Sequence, residues 1–169
     1  MKVTVMSQEN ALRYSEITKK DIIIVSIVGE KENPLVFNGG KVVDIFRMYF
    51  EDIERPYGLS KMPSREDFYG LKSFLDKNVS SVEEIVVHCY AGSSRSSACA
   101  VAVMRYLGVD DSFIWSSSDY IPNKLVLTHA IDELGVELTE LEIKALYDIN
   151  DEAHMMCSEF VFDEEDSLF

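Results

Sequence analysis

Residues 85–98 read IVVHCYAGSSRSSA. An apolar, β-branched run ends on a cysteine, a few small residues follow, and an arginine then opens a stretch rich in alanine and valine. Glu84 to Cys89 is short and continuously apolar, as a strand buried on both faces would be. Ser96 to Leu107 (SSACAVAVMRYL), closed by Gly108, reads as a helix of small apolar residues packed against a sheet. A strand that passes so directly into such a helix is half of a parallel α/β unit.

In that unit the loop between strand and helix collects free backbone N–H groups and the positive end of the helix dipole, which makes it an anion site. Gly92 allows the backbone to bend toward a ligand, and Ala91, Ser93 and Ser94 are short enough for the amides to turn inward. Arg95 carries a planar fork that matches two oxygens of a phosphate. A thiol at Cys89 in this positive nest is favoured as the nucleophilic thiolate, and the Ser96 hydroxyl can donate to that sulfur. The opposing reading, a structural cysteine ending a strand, accounts for Cys89 but not for the loop after it.

The flanking sequence continues the α/β pattern. Lys2–Met6 alternates as a short strand, Gln8–Tyr14 suits a short helix, and Asp21–Val28 and Val42–Phe50 are strands. Gly29–Lys41 and the stretch EDIERPYGLSKMP after Phe50 are loops. Phe68, Leu71, Phe74 and Leu75 recur at helical spacing behind an N-cap signal at Ser64, which predicts one helix over Ser64–Lys77. A short helix over Asp111–Ser117 and helices over Leu125–Leu134 and Leu141–Met156 follow, the last opened by a capping box at Thr139–Glu142. The expected fold is a single α/β domain over residues 1–158, a central, mostly parallel sheet flanked by helices, with an acidic tail at 159–169.

The run HCYAGSSRS, His88 to Ser96, closely resembles the H-C-x5-R-[ST] loop of the cysteine-based protein tyrosine and dual-specificity phosphatases. Length and layout are similar to their compact single-domain members, and the resemblance is sharp over Val42–Leu134. It implies a protein tyrosine phosphatase-like fold and two chemical steps without a metal or other cofactor. Cys89 would attack phosphorus to form a phosphocysteine, Arg95 and the amides of Tyr90, Ala91, Gly92, Ser93 and Ser94 would hold the phosphoryl oxygens, and Ser96 would assist hydrolysis.

The resemblance also requires an upstream aspartic acid to protonate the leaving oxygen and later activate water. Asp52 in RMYFEDIERP is the choice, with Glu51 and Glu54 as competitors. Asp67 suits a helix N-terminus better than catalysis. His88 either orients the cysteine or is a satisfied core histidine. Tyr120-Ile121-Pro122-Asn123 is similar to a Pro-Asn pair of bacterial relatives, but a helix cap explains Asn123 almost as well, and it stays outside the catalytic set. Cys99 reads as core packing, His129 as packing or surface, and His154 and Cys157 as idle.

The chain has 169 residues, 47% of them hydrophobic, and a formal net charge of −14. Such a body repels nucleic acid and anionic membrane surfaces, so the expected partner is a phosphorylated protein or peptide. Three cysteines without metal-ligand spacing, and an N-terminal MKVTVMSQEN without an apolar core, point to the cytoplasm. Phosphotyrosine is the expected substrate, with phosphoserine and phosphothreonine in the dual-specificity case. Tyr90, Phe50, Ile53 and Tyr57 are the candidate walls of its pocket. The same loop serves phosphoinositide and RNA 5′-phosphatases, which call for basic residues that YAGSS lacks. A catalytically silent phosphate-binding module is the reading outside enzymes. Rhodanese-like carriers and arsenate reductases differ in loop length or cysteine count.

Overall fold

The β-branched runs form the strands β1 (Lys2–Ser7), β2 (Ile22–Val28), β3 (Val42–Tyr49) and β4 (Glu84–Cys89) in the computed structural model, which describes residues 1–163, with side chains through Ser158. They make one sheet in the order β1-β4-β2-β3, with every pairing parallel. The expected single α/β domain with helices on a parallel sheet is the architecture observed. β2 and β4 occupy the middle and are buried at every position, which is why their sequences show no polar alternation.

Helices α1 (Gln8–Ile17), α2 (Leu71–Asn78), α3 (Arg95–Tyr106), α4 (Ser112–Trp115), α5 (Lys124–Leu134) and α6 (Glu140–Asp163) divide unequally between the two faces. Ile23, Val25, Ile27, Ile85 and Val87 point to the face packed by Leu71 and Leu75, by the alanines and valines of α3, and by Val126 and Ala130 of α5. Ile22, Ile24 and Val86 point to the other, where Ala11 of α1 and Phe37 of the 29–41 loop cover them. Alternation along buried strands therefore separates two cores. Because β4 lies between β1 and β2, the loop after Cys89 emerges at the middle of the sheet's C-terminal edge, where open parallel sheets bind ligands.

Two expected helices differ. The helix expected over Ser64–Lys77 is split into a 3₁₀ turn, Arg65–Phe68, and α2, because Gly70 between them lies at φ 87°, a left-handed conformation that no helix interior accommodates. Asp67 is spent inside that turn, accepting from the Ser64 N–H and hydroxyl and pairing with Lys61. At the C-terminal end, α6 runs past Met156 to Asp163, across the start of the expected tail. Residues 164–169, the rest of that tail, lie outside the described residues.

α6 is anchored by polar bonds to the backbone of the segment before α5. Asn150 Nδ2 donates to the carbonyls of Trp115, Ser117 and Tyr120, the Tyr147 hydroxyl donates to Pro122 O at 2.9 Å, and His154 Nε2 lies 3.0 Å from Tyr120 O. His154 therefore has a structural partner in the fold. His129 packs, its ring 6.0 Å from that of Phe68.

Glu84, at the start of β4, is a buried carboxylate with four donors: Lys2, Thr4, Tyr14 and Lys20. Burial alone would raise its pKa, but the bonds from these four outweigh it and hold it down to about 2. A carboxyl depressed in the folded state stabilises fully above its unfolded value of 4.5 and loses that contribution as pH falls toward 2. The denaturation midpoint of the wild type is expected to fall across that acid window with a slope that Glu84→Gln flattens. Equal slopes in both proteins would refute the assignment.

Candidate active site

The strand–helix link places the sulfur of Cys89 under the first turn of α3. Cys89 is 2% exposed; its Sγ accepts the Gly92 N–H at 3.3 Å and lies 3.1 Å from the Ser96 hydroxyl. The loop's carbonyls are tied away from this centre. Tyr90 O accepts from Gln8 N, Ser93 O from Ile121 N, and Ser94 O from Ala98 N and Asn123 N. With no cis peptide among the described residues, each of these carbonyls is antiparallel to the N–H that follows it, so the amides of Ala91, Ser94 and Arg95 turn away from those partners. Ser97, not singled out from the sequence, reinforces the arrangement by donating its hydroxyl to the carbonyls of Ser93 and Ser94.

Gly92 is required twice over. Its φ is +82°, and a Cβ there would lie 2.5 Å from Ser7 N and 2.6 Å from Met6 C, inside the end of β1.

Arg95, 6% exposed, is the first residue of α3. Its Nη1 donates to Phe50 O at 2.8 Å, and among the described residues its buried Nε has no partner. One side of the guanidinium is thus anchored to the chain that leaves β3, and other N–H groups remain for a ligand.

That same chain carries Asp52. Its Oδ1 accepts from the Ser94 hydroxyl and from Asn123 Nδ2, each at 2.9 Å, which brings it to the loop after Cys89. The competing carboxylates serve other backbone groups: Glu51 accepts from Glu30 N, and Glu54, although it shares a hollow with Asp52, accepts from Lys124 N at the start of α5. Asp52, Glu54, Ser93, Ser94, Ile121, Pro122 and Asn123 line a hollow of about 310 Å³ beside the loop.

His88 faces the opposite side of the sheet from Cys89. Its Nε2 lies 2.9 Å from the Ser26 hydroxyl, its ring meets Phe37 edge-on, and its Nδ1 has no partner among the described residues. Burial, with smaller contributions from Arg47 and Arg95, pushes its pKa down to about 4, so it is neutral at physiological pH. Cys99 lies in the core of α3, where burial pushes its thiol up to about 12. Phe50 is fully buried against Phe68 and cannot line a pocket, contrary to expectation, because the chain leaving β3 turns that side chain inward. Tyr90 and Tyr57 are exposed. Tyr90 lies beside Ser7, Gln8 and Leu12.

Asn123 is the residue that sequence reasoning set aside. It does cap α5, its Oδ1 accepting from Val126 N at 3.0 Å, while its amide nitrogen holds Asp52. Among the described residues no group of His, Cys, Asp and Glu side chains converges so as to hold a metal ion.

No protein-family model and no curated protein matches the chain. Among solved structures, the active form of Tk-PTP is similar at 17% identity and a TM-score of 0.44, covering 90% of each chain. Human DUSP28 is similar at 11% identity and a TM-score of 0.43, covering 93% of this chain and 94% of the other.

Proposed function

We propose that this chain is a cysteine-dependent phosphoric monoester hydrolase of the protein tyrosine phosphatase type, acting on phosphotyrosine in proteins or peptides. The observation that carries the reading is Cys89 itself. Its sulfur lies within reach of the Gly92 N–H and the Ser96 hydroxyl, at the base of a loop whose Tyr90, Ser93 and Ser94 carbonyls bond other segments and whose arginine Nε has no partner among the described residues.

In the first step the Cys89 thiolate attacks phosphorus and the bond to the ester oxygen breaks, while Asp52 gives its proton to that oxygen. Negative charge on the phosphoryl oxygens meets the loop amides and the free side of Arg95. In the second step Asp52, now a carboxylate, takes a proton from water as the water oxygen attacks the phosphocysteine. The S–P bond breaks, inorganic phosphate leaves, and Ser96 donates to the departing sulfur. Ser96 is well placed for that task because it is fully buried and bonds Cys89 directly. His88 supports from behind, its neutral ring packed across the sheet from the sulfur. The cytoplasm remains the compartment proposed, and free thiols at Cys89, Cys99 and Cys157 are compatible with it.

The test of the enzyme reading is hydrolysis of a generic aryl phosphate, expected to survive a metal chelator and to be blocked by vanadate. A protein that binds vanadate but hydrolyses nothing would be the silent phosphate-binding module instead.

Asp52→Asn is expected to lower kcat by about 10²-fold and flatten the basic limb of the pH profile, with KM little changed. Glu51→Gln and Glu54→Gln should behave like the wild type, since their carboxylates serve backbone N–H groups of other segments. The opposite pattern would move the acid to one of them.

Substrate choice follows from the rim. Ile121, exposed in the hollow, offers apolar surface to a phenyl ring and little to a serine stem. Phosphotyrosine peptides are expected to show a higher kcat/KM than phosphoserine peptides of matched sequence, and phosphoinositides negligible turnover.

A further inference from the structure

Asp52 Oδ1 receives two neutral donors from two different elements: the Ser94 hydroxyl from the loop after Cys89 and the Asn123 amide from the turn before α5. The second donor is held unusually firmly. Asn123 cannot rotate without breaking its own cap bond to Val126 N. Its backbone N–H lies against Ser94 O, and the neighbouring Ile121 N donates to Ser93 O, so the turn is stitched to the loop. From the other side the turn is fixed by α6, through Tyr147 on Pro122 O and through Asn150 and His154 on Tyr120 O. Asn123 is 4% exposed, so its amide does not exchange freely between Asp52 and water.

Resting on the phosphatase reading, we propose that Asn123 is a positioning residue for Asp52, and that α6, through the 120–123 turn, sets the place of the acid. With both donors on Oδ1, the proton of the acid must sit on Oδ2, the oxygen that neither Ser94 nor Asn123 engages. A leaving group in the hollow would then meet the protonated oxygen without any rotation of the carboxyl. In the second step the same two donors support the carboxylate that draws the proton from water. The charged group that shares the hollow with Asp52 is Glu54, and Arg95 is tied to Phe50, two residues before the acid. Since the donor from Asn123 is neutral, changing it leaves these charges in place.

The substitution that isolates the amide is Asn123→Ser, because serine caps a helix about as well as asparagine but cannot reach Asp52 with an amide donor. Its thermal midpoint is expected to stay near the wild-type value, kcat on an aryl phosphate to fall roughly tenfold, and KM to change little. The basic limb of the pH profile should shift as well, a readout that a merely structural role would not move. Asn123→Asp also keeps the cap but sets an acceptor and a negative charge against Asp52; it should lose more activity and move the limb further. Tyr147→Phe, which releases Pro122 O from outside the hollow, should reduce kcat in the same direction by a smaller factor.

If Asn123→Ser keeps the wild-type kcat and pH limb while Asp52→Asn loses activity, the positioning role is overturned and the phosphatase reading stands. If Asp52→Asn is itself as active as the wild type, the acid assignment falls and the role of Asn123 falls with it. A uniform loss of kcat in both Asn123 variants with an unmoved limb would mean that the turn matters only for structure, which also overturns the proposal.

Discussion

Cys89→Ser should reduce aryl phosphate hydrolysis by at least about 10⁴-fold, while affinity for phosphate or tungstate stays within a few-fold of the wild type. A serine hydroxyl keeps its proton at neutral pH, and the groups that bond the sulfur, Gly92 N–H and the Ser96 hydroxyl, are not bases. The nearest hydroxyl, Ser96 Oγ, sits 3.1 Å from the sulfur and is no base at neutral pH, and His88 lies on the other face of the sheet bonded to Ser26. The anion site does not depend on the sulfur. Its amides are oriented by the carbonyl bonds of Tyr90, Ser93 and Ser94, and Arg95 is held by Phe50 O, all of which remain in the variant. Steady-state rates with titration calorimetry for the anion separate the two effects. Retained hydrolysis would remove Cys89 as nucleophile, and lost binding with the fold intact would mean that the sulfur organises the loop.

How much of this site could be read in advance depended on whether a residue's task follows from its neighbours in the chain. Glu84–Cys89 and the loop to Arg95 were legible because burial on both faces, small residues and a following helix leave one local solution. Gly70 was not: Phe68, Leu71, Phe74 and Leu75 keep helical spacing whether or not the helix is interrupted between them, and only the glycine itself hinted at a break. The end of β3 was half legible. Three carboxylates, Glu51, Asp52 and Glu54, stand within four positions, and which of them faces the loop is decided by partners far away in sequence, Glu30 N, Ser94 and Lys124 N. The same turn of the chain that aims Asp52 at the loop puts Phe50 into the core beside Phe68, so a reading that placed both at the pocket could not hold. Asn123 was hidden by its own success as a cap. A side chain that accepts with one end and donates with the other satisfies the local signal with the oxygen, and its nitrogen's partner lies 71 positions away.

Arg95→Lys is the second large loss, and it should differ from Cys89→Ser by striking binding as well as rate. The guanidinium does two jobs at once. Nη1 donates to Phe50 O at 2.8 Å, fixing the segment that leads to Asp52, and the remaining N–H groups, including Nε, which has no partner among the described residues, are left for phosphoryl oxygens. A lysine has a single nitrogen at the end of its chain and can serve one of these partners at a time; it also lacks the flat fork that meets two oxygens together. If it reaches the phosphoryl group, Phe50 O loses its donor inside the core, at a cost of about 1–3 kcal/mol in stability, and the start of the acid loop is released. If it stays with Phe50 O, the charge building on phosphorus in the transition state loses its strongest donor. Either way kcat/KM should fall by about 10³-fold, and affinity for phosphate or tungstate should fall with it, which calorimetry on the same sample reads directly. An Arg95→Lys protein that binds the anion as the wild type does and loses only turnover would show that the arginine acts on the transition state alone, and that the loop amides suffice to hold the ground state.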